Sequence, residues 1–162
     1  MNTSNTSSMA RRTFVRTTSL TSAAGLAFPT LLKSQQKPSA NDKLNIAFVG
    51  VGGRGSTAVL EHEHENLVAF CDVDDARAAV TYDKFPEAPR FRDYRRRFDR
   101  LDRQIDAVRI STPDHMHFPV AMAAIALGKH VYVEKPLTHT MEEFRRLLKA
   151  ARGKKIVTQM GN

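Results

Sequence analysis

The sequence predicts an α/β protein built on a doubly wound parallel sheet of about six strands. Three observations predict it. Short apolar runs rich in β-branched and aromatic residues, Leu44–Val49 first among them, suit strands buried on both faces. Such runs alternate with helical patterns from residue 41 to residue 162, the order that builds βαβ units. The first run empties directly into Gly50, Gly52 and Gly55, a G-x-G-x-x-G at a strand-to-helix turn.

The elements follow in order. Leu44–Val49 is the first strand, and Ser56–Glu61 is the helix after the glycines. Asn66–Val73 is a second apolar strand. Asp74–Phe85 reads as a helix that Pro86 and Pro89 stop. Arg90–Tyr94 is a short third strand, and Arg95–Leu101 a basic helical turn. Asp106–Thr112 is the fourth strand. Phe118–Leu127 is an apolar helix ended by Gly128. His130–Glu134 is the fifth strand. Thr140 and Glu143 form a capping box that opens a helix to Ala151, with Gly153 closing it. Ile156–Met160 is the sixth strand. Right-handed crossovers place all the strand ends, and their loops, along one edge of the sheet.

Residues 1–40 stand apart from this domain. They hold five of the 25 Lys and Arg and none of the 17 Asp and Glu, so five of the eight net positive charges sit there. Arg11-Arg12-Thr13-Phe14-Val15-Arg16 precedes a mildly apolar stretch, Leu20–Leu32, too short for an ordinary membrane span. The Arg11-Arg12-x-Phe14 pattern resembles a twin-arginine export signal, with Met9 an alternative start. Pro38-Ser39-Ala40 is a poor cleavage site, so a retained anchor is the other outcome. The expectation is export by the twin-arginine machinery to a periplasmic or membrane-anchored position. The rival is a disordered basic tail.

Because the charge is concentrated there, the high pI does not imply a nucleic-acid surface. Arg90–Arg103 keeps a local excess, seven Arg against Asp93, Asp99 and Asp102. Its reading is a solvated, salt-bridged helix face, with Phe91, Tyr94 and Phe98 the argument for nucleic-acid stacking instead. The single Cys, Cys71, excludes an internal disulfide and reads as a small core residue. His62 and His64 sit at i and i+2, which do not face each other on a helix, so they read as exposed residues and no metal site is assigned.

The chemistry lies in three loops. Gly50 permits the turn, Gly52 lets backbone approach a pyrophosphate, and Gly55 lets the helix lie against the sheet. The helix then points its N–H groups at the phosphates. Asp72 lies 22 residues beyond Gly50, where a carboxylate accepts from a ribose hydroxyl and repels a 2′-phosphate. That favours NAD, while Arg54 in the loop keeps NADP possible. The alternative for Asp72 is a helix N-cap, with Asp74 or Asp75 competing. The second loop is Ser111–His117, where His115 and His117 serve either as acid/base groups or as helix caps. The third is Glu134-Lys135-Pro136. Lys135 there can hydrogen-bond a ribose, orient a substrate hydroxyl or move a proton, or is a plain surface lysine.

Together these loops resemble the Gfo/Idh/MocA family of nicotinamide-dependent oxidoreductases. The carrying residues are GVGGRG at Gly50–Gly55, CDVD at Cys71–Asp74, STPDHMH at Ser111–His117, GKHVYVEKPL at Gly128–Leu137 and TQMGN at Thr158–Asn162. The resemblance implies an N-terminal Rossmann domain over residues 41–162 and a larger C-terminal substrate domain that this chain does not contain. It implies hydride transfer between NAD(P) and a hydroxyl carbon of a sugar or cyclitol-like substrate. Gly50, Val51, Gly52, Gly53 and Arg54 would line the pyrophosphate, and Asp72 would hold the adenosine ribose. Ser111, Thr112 and Pro113 would flank the cofactor, with His117 nearby. Glu134 and Lys135 would approach the nicotinamide, Lys135 being the catalytic candidate.

Two departures bear on activity. Without a second domain the substrate site lacks a wall, so binding without turnover is expected, as in a truncated product. The uncovered sheet leads to an expectation of self-association. Arg109 stands where the family has an apolar residue. A charge in a doubly buried strand costs several kcal/mol, on the order of a broken buried pair, unless it is partnered. Snorkelling and a decaying reading frame are the two accounts. Two rival functions stay open: a non-catalytic nucleotide-binding module completed by a partner chain, and a methyltransferase, against which the EKP loop argues.

Overall fold

A computed structural model describes residues 43–162. The export-signal reading of residues 1–40 lies outside the described residues. Six strands form one sheet: β1 (Asn45–Val49), β2 (Asn66–Cys71), β3 (Arg90–Phe91), β4 (Ala107–Ile110), β5 (His130–Val133) and β6 (Thr158–Met160). Their order is β3-β2-β1-β4-β5-β6, and every pairing is parallel. The helices are α1 (Arg54–Glu61), α2 (Asp75–Lys84), α3 (Tyr94–Leu101), α4 (Asp114–Ala126) and α5 (Met141–Lys154). The predicted doubly wound architecture is therefore present, with strands shorter than expected by one to three residues.

The alternation of each strand sorts its side chains onto two cores. Ile46, Phe48 and Phe70 pack with Val59, Ala78 and Tyr82 on the α1–α2 face. Ala47, Val49, Val108, Ile110, Val131 and Val133 pack against α3, α4 and α5 on the other. Tyr94 and Phe98 belong to that second core and meet edge to face, so both rings are engaged in packing.

Three boundaries differ from the sequence reading. α4 begins at Asp114 rather than Phe118, so Asp114–His117 is its first turn and not a loop. The turn is polar, and Pro119 sits inside the helix, so neither apolar spacing nor composition marked it. β3 stops at Phe91, and Tyr94 already opens α3. α5 runs through Gly153 and ends at Lys155, which takes the left-handed C-cap conformation at φ 54°. Its start is as expected. Thr140 Oγ1 accepts from Glu143 N–H at 3.2 Å, and Glu143 Oε2 accepts from Thr140 N–H at 3.0 Å. Among the described residues no helix is long and apolar enough to cross a membrane.

Candidate functional site

The strand order reverses between β1 and β4. β1 leads through α1 toward β2 on one side, and β4 leads through α4 toward β5 on the other. Ligands of open α/β sheets bind at such a switch point, beyond the carboxyl ends of the strands. A crevice of about 690 Å³ opens there, a size suited to a cofactor. Gly50, Gly52, Arg54, Asp72, Ser111, Thr112 and Pro113 line it, together with Arg77, Arg92, Tyr94, His115 and Met116.

The glycine loop is shaped by close packing. Gly50 has φ 78°, and a Cβ there would stand 2.6 Å from the Ser111 carbonyl oxygen. A Cβ on Gly52 would stand 2.9 Å from the Arg77 carbonyl oxygen, so α2, as well as any ligand, requires glycine there. A Cβ on Gly55 would collide with the Gly50 carbonyl, which fits its assigned part in seating α1 on the strand. α1 then opens at Gly53 with no side-chain cap. Gly55 and Ser56 N–H donate to the Gly52 and Gly53 carbonyls at 3.0 and 3.1 Å, which leaves the Gly53 and Arg54 N–H groups for solvent or a ligand.

Asp72, expected to hold a ribose, is bonded to the backbone of its own surroundings. Its Oδ2 accepts from Val51 N–H at 2.8 Å and Gly52 N–H at 3.0 Å, and its Oδ1 from Asp74 N–H at 3.1 Å. Two of the loop amides expected to face a pyrophosphate are therefore tied to this carboxylate. The uncapped start of α1, at Gly53 and Arg54, is the part of the loop left to hold phosphate. The capping alternative for Asp72 is set aside, because Asp74 caps α2 by accepting from Ala76 and Arg77 N–H. Val51 itself is fully buried, and only its backbone takes part.

Across the crevice, the Ser111 and Thr112 hydroxyls are buried without a hydrogen-bond partner. His117, expected beside the cofactor, is 1% exposed. Its Nδ1 lies 2.6 Å from the Pro136 carbonyl oxygen and its Nε2 2.8 Å from that of Thr112. Both nitrogens are engaged by backbone, so His117 offers neither to a ligand and instead ties the β4 loop to the β5 loop. His115, two residues earlier, lines the crevice.

Glu134 is buried, and its Oε1 accepts from Arg109 Nη2 at 2.7 Å and lies 3.6 Å from Arg54 Nε. Arg109 is 3% exposed and stacks on Tyr132 with its guanidinium carbon 3.5 Å from the ring centroid. It does not snorkel: the buried charge is paired. Lys135 is exposed at the tip of β5, next to a cis peptide bond to Pro136, and has no ion-pair or hydrogen-bond partner among the described residues. His62 is half-buried rather than exposed, edge-on to Phe48, and its ring stacks on that of His64. Among the described residues no group of three or more His, Cys, Asp or Glu could hold a metal ion.

The sequence reading missed Arg77 and Arg92. The Arg77 guanidinium comes within 3.6 Å of where a Gly53 Cβ would stand, which puts a cation over the loop. Its position in the first turn of α2, five residues past Asp72, was the available signal. An uncapped helix start, backbone where Cβ atoms cannot fit and two orphaned hydroxyls make a donor set that fits a dinucleotide.

The family model described as "Oxidoreductase family, NAD-binding Rossmann fold" matches residues 44–162. This chain belongs to the Gfo/Idh/MocA family. It is 33% identical over 158 residues to a glycosyl hydrolase family 109 protein of Shewanella pealeana, covering 82% of this chain and 35% of that one. It is 31% identical over 121 residues to the inositol 2-dehydrogenase of Salmonella typhimurium, covering 70% of this chain and 35% of that one. Among solved structures, the WlbA dehydrogenase from Chromobacterium violaceum, in complex with NADH and UDP-GlcNAcA, superposes with a TM-score of 0.65 at 25% identity. That match covers 76% of this chain and 36% of WlbA. The chain thus spans about a third of the length of the relatives it matches.

Proposed function

We propose that this chain is the cofactor-binding part of an oxidoreductase that moves a hydride between NAD and a hydroxyl-bearing carbon of a sugar or cyclitol. The observation that carries the proposal is the uncapped start of α1, set over a glycine loop at the switch point of the sheet. Gly53 and Arg54 N–H groups hold phosphate, and Arg54 and Arg77 supply positive charge. Asp72 accepts from the adenosine ribose and disfavours a 2′-phosphate, which makes NAD the preferred cofactor and NADP the weaker one. Bound nicotinamide supplies a hydride acceptor or donor at its ring C4. Lys135, exposed at the β5 tip, orients the substrate hydroxyl or takes its proton.

The relatives described as inositol 2-dehydrogenase, and WlbA with its UDP-sugar acid, support polyhydroxylated substrates. The relatives' extra length supports a second domain that closes the substrate site, so this stretch alone binds cofactor and turns over little. The twin-arginine reading of residues 1–40 makes the protein an exported one; a fusion of residues 1–40 to a folded reporter that stays in the cytoplasm overturns that part. Fluorescence titration with NADH tests the central reading. Saturable binding, competed by NAD and not by S-adenosylmethionine, is expected, and no binding at millimolar NADH removes it.

The likeness to a family 109 glycosyl hydrolase favours a second reading, in which the dinucleotide domain serves glycoside cleavage. Release of a reducing sugar without net NADH formation, measured on a longer form of the protein, would select it.

A further inference from the structure

A second hollow lies away from the glycine loop, between β3 and α3. It encloses about 400 Å³ and is lined by Arg90, Phe91, Arg92, Asp93, Arg96 and Arg100. Two of the arginines are anchored. Arg90 Nη2 donates to the Tyr82 carbonyl at 2.9 Å while its guanidinium lies over the Tyr82 ring, and Arg92 pairs with Asp75 at 2.9 Å. The other two are exposed and have no ion pair or hydrogen bond among the described residues. Arg96 and Arg100 stand at i and i+4 on α3, where like charges repel and destabilise the helix. Folding alone gives no reason to keep them together.

The only acid in the lining does not neutralise them. Asp93 accepts from Arg95 N–H at 2.9 Å and pairs with Arg95 Nη1 at 3.6 Å. The expected salt-bridged face is thus realised at Arg92 and Arg95 and fails at Arg96 and Arg100. Tyr94 and Phe98 are core residues, and Phe91, half-buried against that core, is the one aromatic side chain in the lining, so the surface lacks the succession of stacking platforms that single-stranded nucleic acid uses. Its concave shape suits a compact anion better than a flat membrane. Four guanidinium groups and no lysine favour forked, two-point contact with phosphoryl oxygens.

We propose that this basin binds a compact oligophosphate, a site separate from the glycine loop that shares only Arg92 with the cofactor crevice. Calorimetric titration of the whole chain with inorganic tripolyphosphate tests it. One-to-one binding is expected, weakening with salt, and R96A/R100A binds about tenfold more weakly, as loss of two charge-assisted contacts implies. The variant keeps its thermal midpoint and its NADH affinity, which separates this site from the cofactor reading. Equal affinity in wild type and variant overturns the proposal. So does equal competition by sulfate at matched ionic strength, which reports general screening. Tighter binding to phosphatidylglycerol vesicles or to an oligodeoxynucleotide also overturns it, by making the basin a membrane or nucleic-acid surface.

Discussion

Arg109, on β4, and Glu134, the residue that follows β5, form a buried ion pair with Nη2 2.7 Å from Oε1. The β4–β5 register places Arg109 opposite Tyr132, so the guanidinium lies on the ring and reaches the residue just past the strand end. Arg54 leans on the same carboxylate oxygen from the start of α1. One carboxylate therefore connects the middle of the sheet to the helix that would hold phosphate.

This pairing reverses what a lone buried arginine would predict. R109V leaves the buried Glu134 with only the longer, 3.6 Å contact to the exposed Arg54, so it should lose stability, by up to about 3–5 kcal/mol, instead of gaining it. The double variant R109M/E134M, which removes both charges, should recover most of that loss. Urea denaturation of the two variants and the wild type measures it. A single variant as stable as the wild type would show that the pair contributes nothing.

The sequence carries the fold well because its evidence is local. Apolar runs, the Gly50–Gly55 loop and the Thr140–Glu143 box each announce an element within a few residues. Relations across the sheet are not local. Nothing near Arg109 points to Glu134, 25 residues away, and nothing near Gly52 points to Arg77 as the backbone it must clear. His117 was misplaced for a related reason: a polar first turn with proline on both sides reads as loop, whereas tertiary burial made it helix. Asp72 was legible as a site residue, but its bonds to Val51 and Gly52 N–H depend on how the loop folds back.

Those bonds set a structural role beside the ribose contact proposed for Asp72, and one substitution separates the two. D72N keeps the shape but exchanges a charged acceptor for a neutral one. Loss of charge-assisted bonds to the loop amides should cost about 1.5–3 kcal/mol of stability, alongside weaker NADH binding. Thermal melts and NADH titrations on the same sample measure both. A variant that loses only affinity would confine Asp72 to the ribose.

Glycine positions separate backbone strain from crowding. Gly50 and Gly128 both have positive φ, 78° and 73°, but only Gly50 has a neighbour where a Cβ would go. G128A should therefore cost about 1–2 kcal/mol, the left-handed penalty alone. G50A adds a collision with the Ser111 carbonyl and should cost more, and it should also abolish NADH binding by displacing the β4 loop. Equal destabilisation of the two would mean that the close approach is relieved easily.

Tyr82 sets an alkaline limit. Its phenol is pushed up to about 12, first by burial and then by the negative charges of Asp72 and Asp75. The folded protein then holds the proton more tightly than the unfolded chain, whose tyrosine titrates near pH 10. Stability from this group is intact below pH 10 and falls as pH rises toward 12. Y82F should flatten that part of a stability–pH profile measured by urea denaturation. An unchanged alkaline decline in Y82F would assign it to other groups.

His117 gives the sharpest test of how the two loops over the crevice are held. Its ring bridges the Thr112 and Pro136 carbonyls, both of which only accept. A neutral imidazole has one N–H and satisfies one of them, while the doubly protonated ring satisfies both. H117F keeps the ring volume and removes the ring's donor capacity, so the part-buried contacts to the Thr112 and Pro136 carbonyls are lost at about 1–3 kcal/mol in all. The β5 loop that carries Lys135 is then no longer tied to β4, although neither ring nitrogen was placed to touch cofactor. Stability should fall, NADH affinity should fall with it, and amide exchange should quicken at Thr138 and Met116, on the two tethered segments. If H117F instead binds NADH as the wild type does and exchanges at the same rate, the loops are held by something other than this ring.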